Sequence, residues 1–132
     1  MSIYSGQSSD TILNGYLSSI RSAEFGEDAR APIANAVNRL YAIVLTKVSS
    51  PRNGVTRTVI NEHINRIQTA VFGEEVRDAL RTLIQLCYSA CGISVSSTEQ
   101  GYLNNLINAQ LGEDFKNAIL RSMVQCCRDI KA

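Results

Sequence analysis

The chain has 132 residues, 45% of them hydrophobic and 19% charged, with a formal net charge of +1. That composition fits one globular domain, 1–132, with a core large enough to fold without staples, and the balanced charge gives no global field to draw nucleic acid or an anionic membrane. No apolar run approaches a membrane span, and Met1-Ser2-Ile3-Tyr4-Ser5-Gly6 lacks the basic start and apolar block of a signal peptide, so synthesis inside a cell is expected.

The elements fall into three similar units, approximately 8–48, 55–92 and 95–131. In the first, Ser9 or Asp10 can cap a helix that carries Leu17, Ile20 and Ala23 on one face. A corner follows at Glu24-Phe25-Gly26-Glu27-Asp28-Ala29-Arg30. A longer helix then presents Ile33, Ala36, Val37, Leu40, Tyr41 and Val44 in steps of three and four. Pro32 lies early in that helix and removes one amide donor, so a late start or a bend is predicted there. Ser49-Ser50-Pro51-Arg52-Asn53-Gly54 is a cluster of turn residues that ends the unit.

The second unit starts at a weaker cap, Thr56 or Thr58, and places Ile64, Ile67 and Ala70 where the first has Leu17, Ile20 and Ala23. Its corner is Val71-Phe72-Gly73-Glu74-Glu75-Val76-Arg77, and its longer helix carries Leu80, Leu83, Ile84, Cys87, Tyr88 and Cys91. After a short linker around Gly92, Ser96 with Glu99 makes a capping box for the third unit. Leu103, Leu106 and Ala109 lead to the corner Gln110-Leu111-Gly112-Glu113-Asp114-Phe115-Lys116. Ile119, Ser122, Met123, Cys126, Cys127 and Ile130 line the last helix.

The fold class is therefore all-α: three helix-turn-helix hairpins, arranged either as a six-helix bundle or as a short α-solenoid. In each corner Phe25, Phe72 or Leu111 plugs the bend, and Gly26, Gly73 or Gly112 supplies the backbone angle. The acids that follow, with Glu27, Glu74 and Glu113 first, favour the orphan amides of a helix start. Arg30, Arg77 and Lys116 lie three residues after those acids, within reach of intrahelical pairs of ~0.2–0.5 kcal/mol. The longer helices are expected to form the inner layer. Ile43, Leu45, Leu86, Leu120 and Val124 lie off their main stripes, and some of them are candidates to meet another subunit.

The segment Ala70-Val71-Phe72-Gly73-Glu74-Glu75-Val76-Arg77-Asp78-Ala79-Leu80 resembles a helical motif near the N-terminus of tail-fibre and baseplate proteins from phages of Gram-positive bacteria. There an aromatic-Gly-acid-x-Val-Arg run precedes an amphipathic helix. The resemblance covers about ten residues in each copy. This chain carries it three times, and no fibre-like or collagen-like stretch follows within the 132 residues. The resemblance implies a phage origin, with residence in the bacterial host cytoplasm or in the virion. It also implies a stand-alone role as a virion adaptor or decoration protein, or as an inhibitor of host defence.

Site chemistry is sparse. Cys87, Cys91, Cys126 and His63 could supply four zinc ligands, but their spacing is not that of a zinc finger or ribbon, and small buried hydrophobes are the simpler reading. His63 is the only histidine and no serine sits in a glycine-flanked elbow, so no catalytic triad is expected and the chain is not read as an enzyme. The paired acids recur at all three helix starts, which is a capping pattern. Glycine-bearing helix starts beside Arg30, Arg77 and Lys116 could attract a phosphate or nucleotide, a minority reading. Nucleic acid has less support still: the arginines of the middle unit form no stripe with aromatics. No cofactor is expected. Protein association, with a partner or with itself as a homo-oligomer, is the leading expectation, with Tyr41 and Tyr88 as candidate contacts.

Overall fold

The computed structural model describes every residue except Met1, Ser2, Phe25, Phe72 and Leu111. The plug expected of Phe25, Phe72 and Leu111 therefore falls outside the described residues. Six helices follow one another: α1 (Thr11–Ser22), α2 (Gly26–Lys47), α3 (Arg57–Thr69), α4 (Gly73–Cys91), α5 (Ser97–Asn108) and α6 (Glu113–Lys131). No strand occurs among the described residues.

Local chemistry sets the ends. Asp10 Oδ2 accepts from Leu13 N at 2.8 Å, Thr56 Oγ1 from Val59 N at 3.3 Å and Ser96 Oγ from Glu99 N at 3.2 Å, so each outer helix opens on a side-chain cap. The same helices end in register at Ala23, Ala70 and Ala109, each extended in backbone conformation. Helix α4 closes on Gly92 at φ +72°, where Ile93 N reaches Tyr88 O and Gly92 N reaches Ser89 O. That is the paired bonding of a left-handed glycine C-cap.

Two local expectations change. Helix α2 starts at Gly26, in register with α4 at Gly73, so Pro32 does not delay it. Pro32 is the seventh residue of α2, past the unpaired amides of the first turn, and it forfeits one interior main-chain bond, to the Asp28 carbonyl. The capping box at Ser96 is half formed. Ser96 caps as expected, but the Glu99 side chain turns inward and is fully buried.

Each outer helix packs against its own inner helix, α1 on α2, α3 on α4 and α5 on α6. Each also packs against a second inner helix: α1 on α6, α3 on α2, α5 on α4. The inner helices α2, α4 and α6 all touch one another. The arrangement is a closed pseudo-threefold ring of hairpins, and the meeting of the first and third hairpins rules out an open solenoid. Layers of equivalent residues stack along the axis: Ile33, Leu80 and Ile119; Val37, Ile84 and Met123; Leu40, Cys87 and Cys126. Ile43, Leu120 and Val124 are buried within the chain, while Leu45 is exposed and Leu86 half-buried.

Candidate functional site

The three corners come together at one end of the bundle. Because α2, α4 and α6 start there, the first-turn acids of all three crown this end, and Glu27, Asp28, Glu74, Glu75 and Glu113 are exposed. Between the helix starts is a cavity of about 420 Å³, lined by Ala29, Ile33, Val76, Phe115 and Ile119, with Gly73 and Gly112 beside it. Ala29, Val76 and Phe115 occupy the same place in their respective repeats. Glu24, Glu27, Arg30 and Lys116 add charge to its wall. Gly112 stands at φ +96° at the start of α6, a left-handed angle that other side chains reach at a cost.

The three bases of the motif bind main-chain carbonyls. Arg30 Nη1 donates to Gln68 O at 3.3 Å, Arg77 Nη2 donates to Ala109 O, and Lys116 Nζ donates to Ala23 O and to Arg21 O at 3.4 Å. Every acceptor is at the C-terminal end of the next hairpin's outer helix. The first unit holds the second, the second holds the third and the third holds the first. A cation on the last carbonyls of a helix also meets the negative end of its dipole. The Arg77 guanidinium lies 5.4 Å from the Phe115 ring centroid, a cation–π contact from α4 to α6.

Tyr41 and Tyr88 do not serve as surface contacts: each is 1% exposed. They occupy one repeat position, and each hydroxyl reaches toward the start of the next unit. Tyr41 Oη donates to Val55 O at 2.8 Å, and the Arg57 guanidinium lies 4.8 Å from its ring centroid. Tyr88 Oη lies 2.6 Å from Asp129 Oδ2 and 3.1 Å from Glu99 Oε2.

The cluster around Tyr88 was missed from sequence. Glu99 stands where Leu13 and Ile60 stand in the other units, and all three are fully buried. Burial pushes the Glu99 carboxyl up to about 8, with Asp129 adding to the shift and Ser122 and Tyr88 opposing it. Ser122 is near enough to exert that pull without the geometry of a hydrogen bond. Its Oγ and Glu99 Oε1 have no hydrogen-bond partner among the described residues. Ser96 Oγ and Gln125 Nε2 hold Asp129 at 2.6 and 2.9 Å. The signal was available: carrying the glycine register four residues back from Leu103 places a carboxyl in an apolar column.

The zinc constellation is not assembled. No group of three or more His, Cys, Asp and Glu side chains able to hold a metal occurs among the described residues. The four cysteines are free and buried, and His63 Nδ1 lies 3.0 Å from Val59 O of its own helix. Burial pushes the Cys87 thiol up to about 12, with Cys91 adding to it, and pushes the Cys126 thiol well up too, so both are neutral thiols. At the far end of the bundle, Asp10 takes a bidentate pair from Arg39 at 2.8 Å for both bonds, with Lys131 at 3.9 Å. The Arg39 hydrogen bonds hold the Asp10 carboxyl down at about 2 despite burial, helped by the Leu13 amide.

No helix among the described residues is long and apolar enough to cross a membrane. Comparison with known proteins finds no matching family model, no matching curated protein and no matching solved structure.

Proposed function

We propose that this is a non-enzymatic interaction protein of phage origin, a virion structural or adaptor component that docks through the end of the bundle where its corners meet. The observation that carries this reading is the convergence of three copies of one motif on a single end. The bases of those copies are turned sideways onto carbonyls, and Tyr41 and Tyr88 are inside. What the motif offers outward is acidic: Glu27, Asp28, Glu74, Glu75 and Glu113 surround a recess lined by Phe115, Ile33 and Ile119. A polar rim around an apolar recess suits an anchor side chain from a partner. The phage assignment rests on the resemblance of the Phe72–Arg77 corner to tail-fibre and baseplate segments.

Mass spectrometry of purified particles tests it. The chain should be present at fixed stoichiometry, and Asp28→Lys with Glu74→Lys should abolish its incorporation while leaving helicity intact. Absence from particles overturns the reading.

A second reading has one specific observation behind it. Arg30 and Lys116 stand in the wall of a cavity whose volume is in the range of small-molecule sites. It would make the protein an anti-defence inhibitor that blocks a host protein or sequesters a nucleotide signal. Rescue of phage growth on a defended host, by a chain absent from particles, would favour it. The acids at the same helix starts count against an anionic ligand.

A further inference from the structure

The third hairpin differs from the other two at one core position, and the difference is ionisable. Leu13 in α1 and Ile60 in α3 press apolar side chains against the inner helices; Glu99 in α5 puts a carboxyl in the same place with no exposed surface. Proton counting gives its state once Asp129 is taken as the ionised partner. Tyr88 has one hydroxyl proton, and its 2.6 Å approach to Asp129 Oδ2 is the shorter and stronger of its two contacts. Asp129 also accepts from Ser96 and Gln125, as an ionised carboxylate does. With the tyrosine proton given to Asp129, the 3.1 Å contact between Tyr88 Oη and Glu99 Oε2 needs its proton from Glu99. The chain runs from Glu99 through Tyr88 to Asp129, and it is complete only when Glu99 is neutral.

We propose that α5 is a proton-held helix: the neutral Glu99 carboxyl seats its N-terminal half in the α4–α6 seam, and ionisation of that carboxyl lifts this half out. Among the described residues no cation acts on the Glu99 carboxyl. The groups that face it are Tyr88 from α4 and Ser122, Cys126 and Asp129 from α6, and the nearest charge among them is the Asp129 carboxylate. Among the described residues Glu99 Oε1 has no hydrogen-bond partner, and the Ser122 hydroxyl is the one group besides Tyr88 that favours its charged form. A buried carboxylate so placed is among the most costly groups a core can hold. The raised affinity of Glu99 for its proton agrees with this geometry.

The fold lets one end move without the other. Before α5 is the left-handed Gly92, in the linker from α4. At its C-terminal end Leu103 and Leu106 are fully buried and Arg77 grips Ala109 O. The released part is therefore the first turns, from Ser97 toward Leu103, swinging on an anchored C-terminal end. Lifting it uncovers Tyr88 and the Cys126 thiol. This inference is independent of any partner at the opposite end of the bundle.

Amide hydrogen exchange tests it, because α1 is a built-in control with leucine at the equivalent position. Protection factors for Gln100–Leu103, corrected for intrinsic exchange at each pH, should fall about tenfold per pH unit between pH 5 and 8 and level off above 8. Those for the equivalent Asn14–Leu17 should stay flat. In Glu99→Gln the α5 slope should vanish; in Glu99→Leu it should vanish with protection raised. A slope shared equally by α1, or one that survives either substitution, overturns the proposal. If neither variant folds, the ¹³C shift of the Glu99 carboxyl in the unaltered protein decides. Titration near 8 supports the proposal, and titration near 4.5 overturns it.

Discussion

Lys116, in the third hairpin, donates to the carbonyl of Ala23, at the end of the outer helix of the first. These residues are 93 positions apart, and their contact closes a ring that Arg30 and Arg77 build at the other two junctions. The three contacts follow one rule, each hairpin gripping the next. The grips add a ring of charged contacts to the core that α2, α4 and α6 already share.

Removing the closing grip should therefore loosen the first hairpin against the third. Lys116→Met deletes a charged hydrogen bond to a helix end and should cost about 1–2 kcal/mol, with Lys116→Arg costing less. Urea denaturation should show a lower midpoint at unchanged slope. Exchange at Ile20 and Ala23 should accelerate more than exchange at the centre of α4.

Much of this architecture was legible in the sequence, for physical reasons that separate it from the rest. Helical period, caps and corners are local, so Ser96 could be placed from its neighbours alone and the other caps narrowed to Ser9 or Asp10 and Thr56 or Thr58, of which the fold uses Asp10 and Thr56. The ring could not be placed that way. The bases bind main-chain carbonyls, and every residue carries one, so the identity of Gln68 or Ala109 leaves no mark. Tyr41 and Tyr88 were misplaced because an aromatic with a hydroxyl suits a surface and a core equally well until the hydroxyl's partner is known. Glu99 was hidden by a competing motif: spaced three from Ser96, it satisfied the capping box and concealed its place in the Leu13–Ile60 column.

Asp10 makes the acid limb of stability predictable. The Arg39 pair holds its carboxyl down at about 2, below the ordinary 3.8, so its contribution is present in full above 3.8 and is lost as pH falls through about 2. Asp10→Asn keeps a capping oxygen but loses the Arg39 pair. The variant should be less stable by about 2 kcal/mol at neutral pH, and the two unfolding curves should converge as pH approaches 2. A gap that persists in acid would mean that shape, not charge, is what Asp10 provides.

Glycine positions give predictions of opposite sign. Gly15 in α1 and Gly101 in α5 are in helices with open space where a Cβ would go. Gly15→Ala and Gly101→Ala should each stabilise by roughly 0.5–1 kcal/mol. Gly92 has φ +72°, and a Cβ there would stand 2.6 Å from Arg52 Nη1 and 2.7 Å from its Cδ. Gly92→Ala should destabilise by about 1–2 kcal/mol, since it adds backbone strain and displaces Arg52. Thermal midpoints of the three variants, measured side by side, check both signs.

The cysteines should react slowly with thiol reagents while the chain is folded. Cys87, Cys126 and Cys127 have no exposed surface, and Cys91 has 9%. A thiol reacts as its thiolate, and burial holds all four in the neutral form. Labelling at pH 8 should therefore begin at Cys91, and Cys87 should follow only at the rate of unfolding. Cys126 is the discriminating site. It lies under α5 beside Glu99, so after normalisation to the unfolded chain its labelling should quicken from pH 6 to pH 8 while that of Cys87 keeps pace with unfolding. Mass spectrometry of the labelled peptides reads the order directly, and equal acceleration at Cys87 and Cys126 would show that the core opens as a whole.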